Sequence, residues 1–131
     1  MIYLDTSVAL AHLFAEDRRP PAWLWEETLV ASRLLEYELW TRVHARKLTR
    51  THGDAVHGLV GRLALLELSP TVLARALESF PAPIRTLDAL HLATALVFQE
   101  TLGAVVLLSF DERIRLNATG LGLPVAPEFT G

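Results

Sequence analysis

The sequence predicts an α/β fold in which a central, mostly parallel sheet is flanked by helices. Short apolar segments, of which the β-branched "AVVLL" (104–108) is the clearest strand, alternate with longer segments of helical character. The stretch "TLDALHLATALVFQE", starting at Thr86, is apolar on nearly every side, which is typical of a helix packed on both faces. Strands that alternate with helices in this way favour a parallel sheet.

The other elements follow from the same signals in chain order. In the first half we predict a strand at 2–5, helices at 6–15 and 20–28, a strand at 29–32, and a helix from Ser32 to about Leu48. Proline suits the first turn of the second helix, and Ser32 is a typical N-cap. In the second half we predict a helix from Asp54 to about Leu66, a strand at 66–69, helices at 71–79 and 109–118, and a last short strand at "PVA" (124–126).

Length and composition limit the class of protein. A chain of 131 residues is expected to form one domain, residues 1–131, with a real hydrophobic core. No apolar run approaches the roughly 18 residues of a membrane span, and the N-terminus lacks the features of a signal peptide. The absence of cysteine excludes disulfides and thiolate metal sites. We therefore expect a soluble, cytoplasmic protein, whose net charge of −3 argues weakly against coating of nucleic acid by bulk charge.

Four carboxylates lie at the end of a predicted strand or in the first turns of predicted helices. Asp5 ends the first strand, and Glu38 lies one to two turns into the helix after "LVAS". "TLDA" and "SFDE" resemble helix starts, with Thr86 and Ser109 as N-caps and Asp88 and Asp111 at the second helical position. In open α/β sheets ligands bind outside the carboxyl ends of the strands, so these acids are candidates for a binding site.

Each acid also has a purely structural explanation. Asp88 and Asp111 would complement a helix dipole, and Asp5 would cap the helix that follows it. Glu38 would form an ion pair with Arg42 one turn further along the helix.

The coincidence of the acids at one edge favours a metal site. Two carboxylates about 5 Å apart repel by roughly 3 kcal/mol at an effective dielectric near 20, so a larger group needs protons or a cation. Carboxylates, water and substrate phosphate are the ligands that Mg²⁺ or Mn²⁺ prefers, and such a site can promote phosphoryl transfer to water.

The chain resembles a PIN-domain ribonuclease, and most closely a VapC-like toxin of a toxin–antitoxin pair. The resemblance lies in "YLDTSV" (3–8), "SRLLEYEL" (32–39), "LDALHLATA" (87–95) and "LLSFDERI" (107–114), in the order and at the spacing of that family. The acidic quartet of the family would fall on Asp5, Glu38, Asp88 and Asp111. Glu36 competes with Glu38, but the family's glutamate is usually followed by an aliphatic residue, as Glu38 is by Leu39.

The resemblance implies a PIN-like α/β/α sandwich and a Mg²⁺- or Mn²⁺-dependent endoribonuclease. Asp5 and Asp88 would be the direct metal ligands, and Glu38 and Asp111 would complete the site through water or a second metal. Among supporting residues, Thr6 or Ser7 would hold a coordinated water or a phosphate oxygen, unless these are ordinary helix-start hydroxyls. Ser109 keeps the hydroxyl where the family often has threonine. The implied partners are RNA, a cognate antitoxin and a second copy of the chain.

Two further features have open interpretations. Arg42, Arg46 and Arg50 follow Glu38 at four-residue steps, so one helix face would carry a track for the RNA backbone or a simple solvated surface. His91, three residues after Asp88, is either a metal ligand or a satisfied core histidine.

Two other functions compete with the nuclease. One is a different Mg-dependent phosphoryl hydrolase. Enzymes with an aspartyl nucleophile place a second aspartate two residues on, where this chain has Ser7. The other is a non-catalytic, PIN-like partner-binding module that uses its acids as helix caps.

Overall fold

A four-stranded sheet, parallel throughout, forms the centre of the fold. The computed structural model describes residues 1–15 and 20–127. The strands are β1 (Ile2–Leu4), β2 (Leu29–Ser32), β3 (Leu63–Leu66) and β4 (Val106–Leu108). Their order is β3-β2-β1-β4, so β1 lies between two partners and its carboxyl end is held on both sides. The predicted last strand is reduced to a single bridge between Leu107 and Val125.

Helices cover both faces of this sheet. They are α1 (Thr6–Leu13), a 3-10 helix (Ala22–Glu26), α2 (Leu34–Ala45), α3 (Thr49–Val60), α4 (Pro70–Ala76), α5 (Thr86–Leu102) and α6 (Glu112–Gly120). Alternate residues of β1 face opposite ways: Leu4 packs with α1, α2 and α3, whereas Tyr3 packs with α5 and α6. Two apolar cores therefore sandwich the sheet, and the predicted three-layer α/β fold is confirmed. No helix in the described ranges is long and apolar enough to cross a membrane.

The predicted third strand and the helix before it were wrong by several residues. α3 begins at Thr49 and ends at Val60, so Asp54 lies inside the helix and caps nothing. The left-handed backbone of Lys47 (φ 57°) separates α2 from α3 and ends the predicted long helix early. β3 then starts at Leu63, which pairs with Leu29 of β2, and not at the predicted residue 66. The apolar run "LALLEL" fits a strand at several offsets, and the pairing with β2 selects one.

The starts of several helices also differ from the prediction, and the N-cap of α2 is Arg33 instead of Ser32. β1 ends at Leu4, and Asp5 is the N-cap of α1, not the last residue of the strand. The N-cap of α5 is Arg85 and that of α6 is Asp111, so Thr86 and Ser109 do not cap these helices. In α6 the reason is local, because Asp111 Oδ1 accepts the amide hydrogen bond of Ile114 at 3.0 Å and starts the helix itself.

Candidate active site

Asp5 is buried at the carboxyl end of β1, and its carboxylate is fixed on one side. Asp5 Oδ2 accepts hydrogen bonds from the Ser7 hydroxyl at 2.6 Å, the Ser7 amide at 3.2 Å and the Ser109 hydroxyl at 2.9 Å. The side chain is only 3% exposed. Its other oxygen, Oδ1, accepts no hydrogen bond within the described part of the chain, so it remains available to a further partner.

The two serines connect the segments that leave β1 and β4. Leu4 pairs with Leu108, so the residues after them emerge together at one edge of the sheet. Ser7 Oγ accepts from the Phe110 amide at 2.9 Å, and Ser109 Oγ accepts from the Asp111 amide at 2.9 Å. Each hydroxyl uses its proton for Asp5, so these bonds bring Asp5 and the start of α6 into one network.

Glu38 reaches the same edge from α2 and is held by two side chains. The Thr6 hydroxyl donates to Glu38 Oε1 at 2.9 Å, and His91 Nε2, on α5, contacts the same oxygen. Thr6 and His91 are themselves 3.3 Å apart at Oγ1 and Nε2. Glu38 forms no ion pair with Arg42 in the structure, so the structural explanation predicted for this acid does not apply.

His91 is deeply buried but is not an ordinary core histidine. It is 2% exposed, and its Nδ1 has no hydrogen-bond partner among the described residues. Burial alone would lower the pKa of His91, but the hydrogen bond and the negative charge of Glu38 outweigh burial, so this pKa is raised above its usual value. The raised pKa favours the protonated, positively charged form of His91 beside Glu38 and the other acids.

Asp88 lies half-buried in the first turn of α5 and accepts no hydrogen bond from any other described residue. Partial burial raises its pKa above the usual value, and the charges of Asp111 and then Asp5 raise this pKa further. His91 acts in the opposite direction, and Glu38 adds a smaller increase. Asp88 therefore senses the other three carboxylates, which are close enough to repel it.

Asp88 and Asp111 line one polar cavity of about 340 Å³. The other residues of its lining are Arg85, Glu112 and Arg113. Neither arginine was predicted from the sequence. A positional signal was present, since Arg85 precedes Asp88 by three residues and Arg113 follows Asp111 by two.

The predicted basic helix face was wrong. α2 ends at Ala45, so Arg42 lies on it, Arg46 follows it as the C-cap, and Arg50 belongs to α3. The Arg46 guanidinium packs over the Phe14 ring, 4.4 Å from its centre. Arg42 borders a second, mainly apolar cavity of about 310 Å³, which Glu38 also lines.

The donors at this edge fit a hard divalent cation in their chemistry. All four predicted acids keep at least one oxygen that accepts no hydrogen bond from another described residue, and hard cations prefer such oxygen ligands. In the arrangement observed for residues 1–15 and 20–127, no group of three histidine, aspartate or glutamate side chains stands in position to hold one ion together. The case for a divalent cation at this edge therefore rests on the chemistry of the oxygen donors and on the repulsion between the acids.

The fold and this edge define a class: a parallel α/β domain with four carboxylates gathered where its strands end. Comparison with known proteins gives the family. The family model of the PIN domain matches residues 2–119, and the chain belongs to the PIN-domain family.

Named relatives and solved structures agree with this membership. The chain is 32% identical to Ribonuclease VapC35 of Mycobacterium tuberculosis, with 95% of each chain covered. It is 31% identical to Ribonuclease VapC47 of the same organism, with 96% of each covered. Among solved structures, its fold is similar to that of a chain in VapBC2 from Rickettsia felis bound to a promoter DNA fragment, with a TM-score of 0.75 at 17% identity, covering 98% of this chain and 100% of that one. A chain of a toxin–antitoxin complex from Klebsiella pneumoniae gives a TM-score of 0.70 at 14% identity, with 100% of both covered.

Proposed function

We propose that the protein is a metal-dependent endoribonuclease that hydrolyses RNA phosphodiester bonds and acts as the toxin of a toxin–antitoxin pair. Membership of the PIN-domain family and similarity to two named ribonucleases support this function. The observation that carries it is the gathering of acids at one sheet edge, where Asp88 and Asp111 line one cavity and the Ser109 hydroxyl joins Asp5 to the Asp111 amide. Burial, together with the charges of the other acids, raises the pKa of Asp88 there. A bound cation relieves such a cluster and can in turn hold an anionic substrate, whereas a merely structural role does not require the acids to lie together.

The proposed metal is Mg²⁺ or Mn²⁺, with Asp5 and Asp88 as direct ligands and Glu38 and Asp111 completing the site. When bound, such an ion supplies activation of the attacking water and neutralisation of phosphate charge. The role of Ser7 and Ser109 is to fix one oxygen of Asp5 and leave the other free.

Thr6 and His91 orient Glu38 in the same way. Both hydroxyls after Asp5 already donate to carboxylates, so we assign Thr6 and Ser7 to positioning and not to direct contact with the substrate. Groups that orient ligands in this way commonly affect metal affinity or activity by about 10- to 100-fold.

The proposed partners are an RNA substrate, a cognate antitoxin protein and a second copy of the chain, all in the cytoplasm. An antitoxin is supported by the solved neighbours, which come from toxin–antitoxin complexes. Exposed apolar side chains on α4, at its C-cap and at the start of α5 provide surface for such contacts, among them Leu73, Leu77 and Leu87.

A non-catalytic partner-binding module is the second candidate, and one observation favours it. Asp5 and Asp111 do cap helices, because each accepts an amide hydrogen bond from the first turn of α1 or α6. Asp88 and Glu38 do not fit this function, since neither caps a helix and Asp88 has no hydrogen-bonding partner among the described residues.

Incubation of the purified, antitoxin-free protein with total RNA and Mg²⁺ or Mn²⁺ tests the proposal. Asp5→Asn and Asp88→Asn proteins, purified in parallel, serve as controls for contaminating nucleases, and EDTA should stop the reaction. Cleavage by the wild type alone is expected. Equal cleavage by all three proteins, or none by the wild type with either metal, would contradict the proposed function.

A further inference from the structure

The polar cavity beside Asp88 and Asp111 is also lined by two arginines whose guanidinium groups form no ion pair with a carboxylate of the described residues. Arg85 and Arg113 line it together with three acids, yet neither arginine forms an ion pair or a side-chain hydrogen bond with another described residue. Both side chains are exposed. Two other arginines are paired with acids: Arg33 with Glu36 and Glu67, and Arg75 with Glu78.

The helices place these two cations next to the acids. Arg85 is the N-cap of α5, whose first turn carries Asp88, and Arg113 lies in the first turn of α6, which Asp111 caps. The separation in sequence within each pair is two or three residues, so the backbone keeps each arginine near its acid. The cavity between them, about 340 Å³, is large enough to admit a phosphate group.

An RNA strand needs such cations at this point. Each backbone phosphate carries a negative charge and is repelled by the four acids it has to approach. Guanidinium groups bind phosphate through two parallel hydrogen bonds, and their charge offsets this repulsion. A protein with a net charge of −3 has to supply the positive charge locally.

We propose that Arg85 and Arg113 bind backbone phosphates of single-stranded RNA next to the bond that is cleaved. This inference rests on the proposed ribonuclease function, and it moves the expected RNA contact from the end of α2 to the starts of α5 and α6. The arginines contact the backbone only, so they contribute to affinity without selecting a base sequence.

Binding of a fluorescent single-stranded RNA to antitoxin-free protein tests the proposal. Anisotropy is measured in EDTA, where no cleavage occurs, over a series of KCl concentrations for the wild type, Arg85→Gln, Arg113→Gln and the double variant. Arg75→Gln is the matched control, because it removes the same charge outside the cavity. Arg85→Lys and Arg113→Lys keep the charge, and thermal melting verifies that each variant is folded.

Each glutamine variant is expected to bind RNA about tenfold more weakly at low salt. The plot of log affinity against log salt should become shallower by about 0.7 for each arginine removed. Arg75→Gln should follow the wild type, and the lysine variants should keep the wild-type slope.

Wild-type affinity and slope in both glutamine variants would overturn the inference, as would an equal loss in Arg75→Gln. Tighter Mn²⁺ binding with unchanged RNA binding would also overturn it, because the arginines would then serve only as counter-charges for the acids. The inference would also be overturned if the glutamine variants bound a cognate antitoxin more weakly but bound RNA as the wild type does. Because RNA binding is measured without metal, the two failures can be told apart: a wild type that binds RNA but does not cleave it contradicts the proposed function, whereas cleavage by the wild type with unchanged binding in the glutamine variants contradicts this inference alone.

Discussion

The two halves of the acidic site are built differently. Asp5 and Glu38 each have one oxygen held by two side chains, through Ser7 and Ser109 in one case and Thr6 and His91 in the other. Asp88 receives no hydrogen bond from the rest of the described chain and shares an open cavity with Asp111 and two arginines. One half is therefore organised before any ligand binds, and the other half depends on what enters it.

The two halves differ in how the repulsion between like charges is offset. In the organised half, donors inside the protein stabilise the carboxylates, so their positions are fixed at little cost. In the open half, burial and neighbouring charges raise the pKa of Asp88, and none of residues 1–15 and 20–127 donates a hydrogen bond that would offset the penalty. Exchange of a single aspartate for asparagine should consequently have different effects in the two halves.

The largest expected effect is the loss of cleavage in Asp5→Asn and Asp88→Asn, by at least about 100-fold in each. Their stabilities without metal should differ in direction. Asp5→Asn weakens a buried hydrogen-bonded network and should lower the melting temperature, whereas Asp88→Asn removes a repelled charge and should leave it unchanged or raise it. Melting in EDTA and with Mn²⁺ measures both effects.

Metal at a hundred times its dissociation constant should stabilise the wild type by about 2.7 kcal/mol. Asp88→Asn should lose most of this gain. If Asp88→Asn were the less stable of the two variants in EDTA, the contrast between the halves would fail.

A smaller effect is expected at His91. His91→Ala leaves Glu38 held by Thr6 alone, and kcat should fall about 10- to 100-fold with little change in KM for RNA. His91→Gln places an amide donor near the position of Nε2 and should recover part of the activity, whereas His91→Asn places it near Nδ1 and should not. Equal activity of the two amide variants would show that the histidine only fills space.

Ser109 tests the link between Asp5 and the start of α6. Ser109→Ala removes the donor to Asp5 and the acceptor of the Asp111 amide, both at 2.9 Å, and should cost about 1–3 kcal/mol in unfolding free energy. Ser109→Thr keeps the hydroxyl and should retain most of the stability and activity. Chemical denaturation of the three proteins measures the difference. A threonine variant as unstable as the alanine variant would mean that packing at this fully buried position matters more than the hydroxyl.

The smallest effect is expected at Arg46, outside both halves. Arg46→Ala removes the contact with the Phe14 ring and should cost about 0.5–1 kcal/mol. The salt dependence of RNA cleavage should not change. A clearly flatter salt dependence of cleavage in Arg46→Ala would instead indicate that RNA contacts the end of α2.

Much of the fold followed from the sequence because the strands are short, apolar and separated by helices. The alternation predicted the parallel sheet, and the positions of the acids, just after β1 or near the starts of α2, α5 and α6, indicated that they lie at one edge. The register of β3 did not follow, since an apolar run pairs with β2 at any of several offsets and only tertiary contacts choose. The left-handed conformation of Lys47 could not be predicted either, because the residues around it continue a helical pattern.

Within the site, local sequence signals identified the acids but not the side chains that contact them or lie beside them. The hydrogen bond between His91 and Glu38 joins residues 53 positions apart, and no spacing rule connects a histidine of α5 with a glutamate of α2. Arg85 and Arg113 were missed because surface arginines are ordinary, and only the cavity distinguishes them. The roles of the four acids as metal ligands remain a prediction.

The pairing of β1 with β4 has a consequence during synthesis. Asp5 leaves the ribosome 104 residues before its hydrogen-bonding partner Ser109. The acids cannot gather until α6 has emerged and β4 has docked beside β1. A nascent or truncated chain that stops short of α6 therefore carries the first carboxylate without the site, so the cell is not exposed to the proposed nuclease before α6 has been made.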